Sequence, residues 1–218
     1  MKPHRLPLAC ALALGFASAQ AAAEPEKLYA THCLACHAPN RLGGMGPTLL
    51  PESLARLKKA DAYKIIAEGL PATQMPGFST ALTPEEIQAL TDWIYTPNSI
   101  PPKWDAVDIA ASHIVDAANL DLPARPVFAA DPSNVTLVVE HGDHHISVLD
   151  GDTMTPFHRF ATRYALHGGP KFTPDGRYVY WASRDGWITK YDLWNLKVVA
   201  EVRAGINTRN VAVSSDGQ

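Results

Sequence analysis

The sequence predicts a two-part protein, an all-α domain followed by all-β propeller blades. Helical periodicity is confined to residues 24–97. After Asp131 the pattern changes to short β-rich runs bounded by Gly, Asp and Pro. Those runs repeat: Asp143-His144-His145-Ile146-Ser147-Val148-Leu149-Asp150 is matched 42 residues later by Asp185-Gly186-Trp187-Ile188-Thr189-Lys190-Tyr191-Asp192. Phe172-Thr173-Pro174-Asp175-Gly176 recurs as Val213-Ser214-Ser215-Asp216-Gly217, 41 residues on. Spacings of about 40–45 residues with several strands per unit mark propeller blades.

Residues 1–23 read as a signal peptide. Lys2, His4 and Arg5 precede an apolar run from Leu6 to Phe16, and Ala21-Ala22-Ala23 offers a small-residue cleavage site before Glu24. Ala17-Ser18-Ala19 is the alternative cut, and Cys10 comes too early for a lipoprotein signal. The apolar run is too short to span a bilayer, and no later run reaches the needed length. The expected location is the periplasm, without stable membrane insertion. A net charge of −3, with no basic run, argues against a nucleic-acid partner.

Within 24–97, a first helix is expected over 24–32 and a second over 61–68, stopped by Gly69. The clearest start is Thr83-Pro84-Glu85-Glu86, in which Thr83 and Glu86 can form a capping box and Pro84 suits the first helical position. Ile87, Leu90 and Ile94 then share a face, and Pro97 ends the element. Residues 98–130 hold four prolines and read as a linker with a short helix within 108–118. In 131–218, strands are expected at 135–140, 145–149, 178–182, 187–191 and 198–203. A propeller closes with about 4–8 blades, so the two visible here are expected to be the first of a longer series.

Between the first two helices stands Cys33-Leu34-Ala35-Cys36-His37. Two thiols and an adjacent imidazole on one short turn can bond both vinyl groups of a heme and ligate its iron from below. A dithiol redox pair or half of a zinc site is the alternative, but no second cysteine pair exists. Cys33 and Cys36 are therefore expected to hold heme c, with His37 on the iron. Met75, in Thr73-Gln74-Met75-Pro76-Gly77-Phe78, is the expected opposite ligand, because Met45 and His32 are too near the motif to cross the ring. Gly46-Pro47 is spaced to bring a carbonyl to His37 Nδ1.

In the strand region, histidines 144 and 145 read as surface or hydrogen-bonded residues. His167 lies in Leu166-His167-Gly168-Gly169-Pro170, read as a turn where glycines admit close approach of a ligand. Arg163, Lys171, Arg184, Arg203 and Arg209 add cations on the same blades, a set suited to a carboxylate-bearing tetrapyrrole whose iron takes an imidazole.

The attachment motif, the Met-Pro loop, the linker segment Pro101-Pro102-Lys103-Trp104 and the run Ser183-Arg184-Asp185-Gly186-Trp187 together resemble the cytochrome cd1 nitrite reductase superfamily. The helical part resembles class I cytochromes c. Glu140-His141-Gly142-Asp143-His144-His145 and Leu166-His167-Gly168-Gly169-Pro170 look most like the nitrite reductase-like protein N branch of heme d1 biosynthesis. The resemblance implies an eight-bladed propeller that binds heme d1 or dihydro-heme d1, with His167 on its iron and Arg184 and Arg209 facing its carboxylates. It implies an oxidoreductase that dehydrogenates a propionate of dihydro-heme d1 and passes electrons to a periplasmic electron-transfer protein. Nitrite reduction to nitric oxide and non-enzymatic d1 carriage or electron transfer are the alternatives. The distal catalytic residues are expected beyond residue 218.

Overall fold

A computed structural model describes residues 24–119 and 121–217; the expected signal peptide, with Cys10, lies outside them. Helices come first: α1 (Pro25–His32), α2 (Leu34–His37), α3 (Pro51–Leu54), α4 (Lys59–Glu68) and α5 (Pro84–Ile94). The capping box at Thr83 forms in both directions, with Glu86 N–H donating to Thr83 Oγ1 at 3.2 Å and Thr83 N–H to Glu86 Oε2 at 2.8 Å. Gly69 stops α4 at φ 81°, its N–H closing on Ile65 O. Two short helices, α2 and α3, were not anticipated by periodicity.

The helices close on a core of Tyr29, Leu54, Ile66, Leu82, Ile87, Leu90 and Ile94. Tyr29 of α1 meets Trp93 of α5 at 5.2 Å between ring centroids. Arg41, only 1 % exposed, crosses underneath. Its guanidinium donates to the carbonyls of Trp93 (3.0 Å), Ile94 (2.9 Å) and Thr96 (2.8 Å), and to Asn98 Oδ1. A cation at a helix C-terminus satisfies carbonyls that have no partner within the helix and opposes the negative end of the dipole.

Residues 99–130 run along the strands rather than away from them. Helix α6 covers Ala106–Ala111, capped by Asp105, so the helix expected within 108–118 begins and ends earlier. Ile114–Val115 then form β1, which pairs antiparallel with β8. Leu122 O accepts from Arg177 and Pro123 O from Asn195. Trp104 Nε1 donates to Arg203 O at 2.8 Å.

The remaining strands are β2 (Val135–Glu140), β3 (His145–Asp150), β4 (Pro156–Ala161), β5 (Leu166–Phe172), β6 (Tyr178–Ser183), β7 (Trp187–Asp192) and β8 (Lys197–Arg203). They form two antiparallel sheets, β2-β3-β4 and β1-β8-β7-β6-β5. The five expected strands are present; β1, β4 and β5 are additional. Ile146 and Val148 of β3 pack with Val179 and Trp181 of β6, so the sheets share one core. Phe160 of β4 stacks on Tyr191 of β7 at 4.3 Å and 6°. The repeated Asp-Gly turns share a geometry. Gly176 N–H bonds Thr173 O at 2.9 Å and Gly217 N–H bonds Ser214 O at 3.0 Å, with φ of 71° and 75° at the two glycines.

Candidate functional site

The attachment motif is carried by the break between α1 and α2. Cys33 ends α1 and Cys36 lies within α2. Both thiols are free and half-buried. Burial, and secondarily Cys36 beside it, pushes the Cys33 thiol up to about 11. His37 is 7 % exposed, and its Nδ1 lies 2.8 Å from Pro47 O. A carbonyl only accepts, so Nδ1 carries the proton and Nε2 keeps its lone pair. Burial lowers the tendency of this ring to take a second proton, and the Pro47 bond opposes that effect.

Glycine is required behind the ring. A Cβ at Gly46 would stand 2.6 Å from His37 Cε1 and 2.7 Å from Nδ1. Gly46 N–H bonds Cys36 O at 2.8 Å, and Gly43 N–H bonds His37 O at 2.9 Å, tying the loop to the motif. The expected carbonyl from Gly46-Pro47 is thus present; the steric role of Gly46 was not read from the sequence.

Met75 is half-buried in the loop between α4 and α5. The loop docks through its backbone, with Phe78 N–H donating to Ile66 O at 2.9 Å and Ser79 N–H to Ala67 O at 3.1 Å. A Cβ at Gly77 would meet Glu68 C at 2.7 Å, so this approach needs glycine. Phe78 packs edge-on against His32 at 5.9 Å, which brings the methionine loop beside the residue that precedes Cys33. Cys33, Leu49 and Phe78 lie partly buried against the helical core. The donor set of two thiols, an oriented imidazole and a thioether, with apolar surroundings, fits a heme c.

The second constellation lies on the strands. His167 is on β5, opposite Ala182 of β6. The segment expected to be a turn is instead an irregular edge strand, with the register broken between His167 and Lys171 and Gly168 at φ 73°. Extra residues on one strand bulge and re-aim the side chain. A Cβ at Gly168 would come within 2.8 Å of Arg209 O. That carbonyl lies 2.7 Å from His167 Nδ1. As at His37, the proton is fixed on Nδ1 and Nε2 is left available.

The arginines divide into two groups. Arg163 forks onto Glu201 at 2.7 and 3.0 Å and covers Trp187 at 3.9 Å. Arg203 donates to Asp185 O at 3.0 Å and stacks over Trp104. Both are committed to structure, and Lys171 bonds the nearby Gly169 O at 2.8 Å, so the cationic set is smaller than the sequence suggested. Arg184 is different. Its Nε is buried and has no partner among the described residues, and burial, Arg209 and Arg56 all weaken its hold on its proton. Among the described residues, the side chain of Arg209 reaches only Ser53 O, at 3.5 Å.

His145 Nδ1 bonds Asp143 O at 2.8 Å, and His141 is exposed. His144 Nδ1 accepts from Ala165 N–H at 3.3 Å. Its Nε2 is buried without a partner among the described residues. No group of three or more metal-binding side chains occurs among the described residues.

Residues 130–218 match the Cytochrome D1 heme domain family, and residues 20–94 match Cytochrome C oxidase, cbb3-type, subunit III. The dihydro-heme d1 dehydrogenase of Pseudomonas aeruginosa is 59% identical over 212 residues, covering 97% of this chain and 43% of that protein. The chain belongs to the cytochrome cd1 superfamily. A nitrite reductase of Stutzerimonas stutzeri is 31% identical over 92% of this cd1-type chain and 40% of its own length. The solved dihydro-heme d1 dehydrogenase NirN in complex with DHE superposes with a TM-score of 0.77 at 60% identity, over 88% of this chain and 42% of that one. The chain therefore spans about two fifths of the length of these relatives. It combines a cytochrome c part, with its heme c, and a β-sheet part of the D1 type. No described helix is long and apolar enough to cross a membrane.

Proposed function

We propose that this chain is the N-terminal part of a periplasmic oxidoreductase that dehydrogenates a propionate side chain of dihydro-heme d1 to an acrylate. The observation that carries the reading is a pair of imidazoles, one in each half. His37 and His167 both direct Nδ1–H into a backbone carbonyl and leave Nε2 for iron. One such residue suits an electron-transfer heme; two suit a protein in which a second tetrapyrrole is held near the first.

In this reading residues 24–97 form the cytochrome c domain, 98–130 the linker, and 131–218 the first blades of an eight-bladed propeller. Cys33 and Cys36 would hold heme c covalently, and His37 and Met75 would supply ligands to its iron. Heme c supplies one-electron acceptance. His167 would hold the iron of the second tetrapyrrole, and Arg184 and Arg209 would bind its carboxylates by charge-assisted hydrogen bonds. Dehydrogenation removes two electrons and two protons, so an external periplasmic electron-transfer protein must drain the electrons.

The test is to give the full-length, heme c-loaded protein dihydro-heme d1 and an electron acceptor. Conversion to the heme d1 spectrum supports the reading. Binding without conversion supports a d1 carrier. The similarity to a nitrite reductase favours a second reading. Sustained nitric oxide production from nitrite and a reductant would establish it instead.

A further inference from the structure

Arg184 and Arg209 lie at a seam between the helices and the strands. Ser53 of α3 accepts from both sides of one loop: its hydroxyl takes Asn207 Nδ2 at 3.1 Å and its carbonyl faces Arg209 Nη2 at 3.5 Å. Arg203 completes the seam by reaching Leu42 O at 3.5 Å while bonding Asp185 O. Three residues beyond Ser53, on the exposed turn that follows α3, stands Arg56.

Arg56 stands about one turn along the chain from Ser53, whose carbonyl is 3.5 Å from Arg209 Nη2, and its charge acts on Arg184. Among the described residues neither Arg56 nor Arg184 nor Arg209 has a carboxylate partner. The ion pairs of this region engage Arg163 and Arg177 instead. Like charges gathered without a counter-ion repel one another, and that cost is recovered when an anion enters. The buried, unpartnered Nε of Arg184 shows where a hydrogen-bond acceptor is missing.

We propose that Arg56 is a third carboxylate-binding residue of the tetrapyrrole site, so that the helical half contributes directly to a pocket carried by the strands. This rests on the reading of the strand half as a dihydro-heme d1 binder. A carboxylate of that ligand and a propionate of heme c have the same chemistry, and the test separates them.

The full-length protein with heme c attached is titrated with dihydro-heme d1, and the heme c spectrum and midpoint potential are recorded alongside. Arg56→Gln should weaken binding by about tenfold, as expected for loss of one charge-assisted contact. The deficit should shrink as salt is raised, and Arg56→Lys should restore most of the affinity. Heme c should keep its spectrum and potential in both variants, which also reports that the helical half is folded. Unchanged affinity in Arg56→Gln overturns the proposal. So does a shifted heme c potential with tetrapyrrole affinity intact, which would give the arginine to heme c. If the wild type binds no dihydro-heme d1, the parent reading fails and this one with it, a result visible before any substitution is made.

Discussion

Gly46→Ala tests how the heme c imidazole is held. The added Cβ would lie 2.6, 2.7 and 3.0 Å from Cε1, Nδ1 and Nε2 of His37, whereas carbon atoms in contact rest at about 3.5–4.0 Å. Either the ring or the loop must retreat by about 1 Å. The loop has little freedom, because Gly46 N–H is bonded to Cys36 O and Gly44 N–H to Gly46 O. A retreat of that size stretches the 2.8 Å bond from Nδ1 to Pro47 O beyond hydrogen-bonding range. Loss of such an orienting bond typically costs about 10–100-fold in metal affinity. If that loss falls mainly on the oxidised iron, which depends more on a strong imidazole donor, the potential rises by on the order of 60–120 mV. The variant should keep its heme covalently attached through Cys33 and Cys36. Spectroelectrochemistry on the full-length protein reads the potential, and the oxidised spectrum reads the ligation. A variant with wild-type potential and spectrum would refute the reasoning, since it would mean that the carbonyl contact does not govern the ring.

Arg41→Met removes the cation that closes α5 and takes the donor from the carbonyls of Ile94 and Thr96, while that of Trp93 keeps its bonds from Thr96; a loss of about 3–5 kcal/mol in denaturant unfolding is expected. Thr83→Ala removes one half of the capping box and should cost about 1 kcal/mol in the same assay. Met75→Ala should abolish the near-infrared sulfur-to-iron band of oxidised heme c while the covalent attachment survives; retention of the band would move the role to Met45. His167→Ala should lose or shift the absorption of bound dihydro-heme d1 with heme c still reducible, and an unchanged spectrum and affinity would make His167 structural and return attention to His141.

What could be read from the sequence was what neighbouring residues decide among themselves. The start of α5 was legible because Thr83, Pro84 and Glu86 act within one turn. The Asp-Gly turns were legible for the same reason, and their recurrence disclosed the blades. Strand β5 was not, because Gly168, Gly169 and Pro170 argue against a strand. Only pairing with β6 makes it one, and the bulge absorbs the offending residues. Strand β4 hides because its burial rests on Phe160 stacking on Tyr191, 31 positions away in the chain. Arg41 gave no signal at all: its partners lie 52–57 residues downstream. The same limit applied to the cations of the strands, since composition counts arginines but only the fold shows that Arg163 and Arg203 are already occupied.

The two oriented imidazoles differ in what holds them, and the difference follows from chain distance. His37 finds its carbonyl at Pro47, 10 residues away in one loop, so the helical half alone can set its geometry. His167 finds its carbonyl at Arg209, 42 residues away. That is also the spacing at which Asp143–Asp150 repeats as Asp185–Asp192. By this spacing, Arg209 stands in the next sequence repeat at the position equivalent to His167. Strands β5–β8 alone therefore do not supply the carbonyl that orients His167, which comes from Arg209 in the segment after β8. The same residue, through its side chain, meets Ser53 of the helices. Arg209 thus joins two things at once: the imidazole that would hold the second tetrapyrrole, and the half of the chain that carries the attachment motif. Displacement of the Arg209 loop would remove the carbonyl from His167 and the guanidinium from Ser53 together.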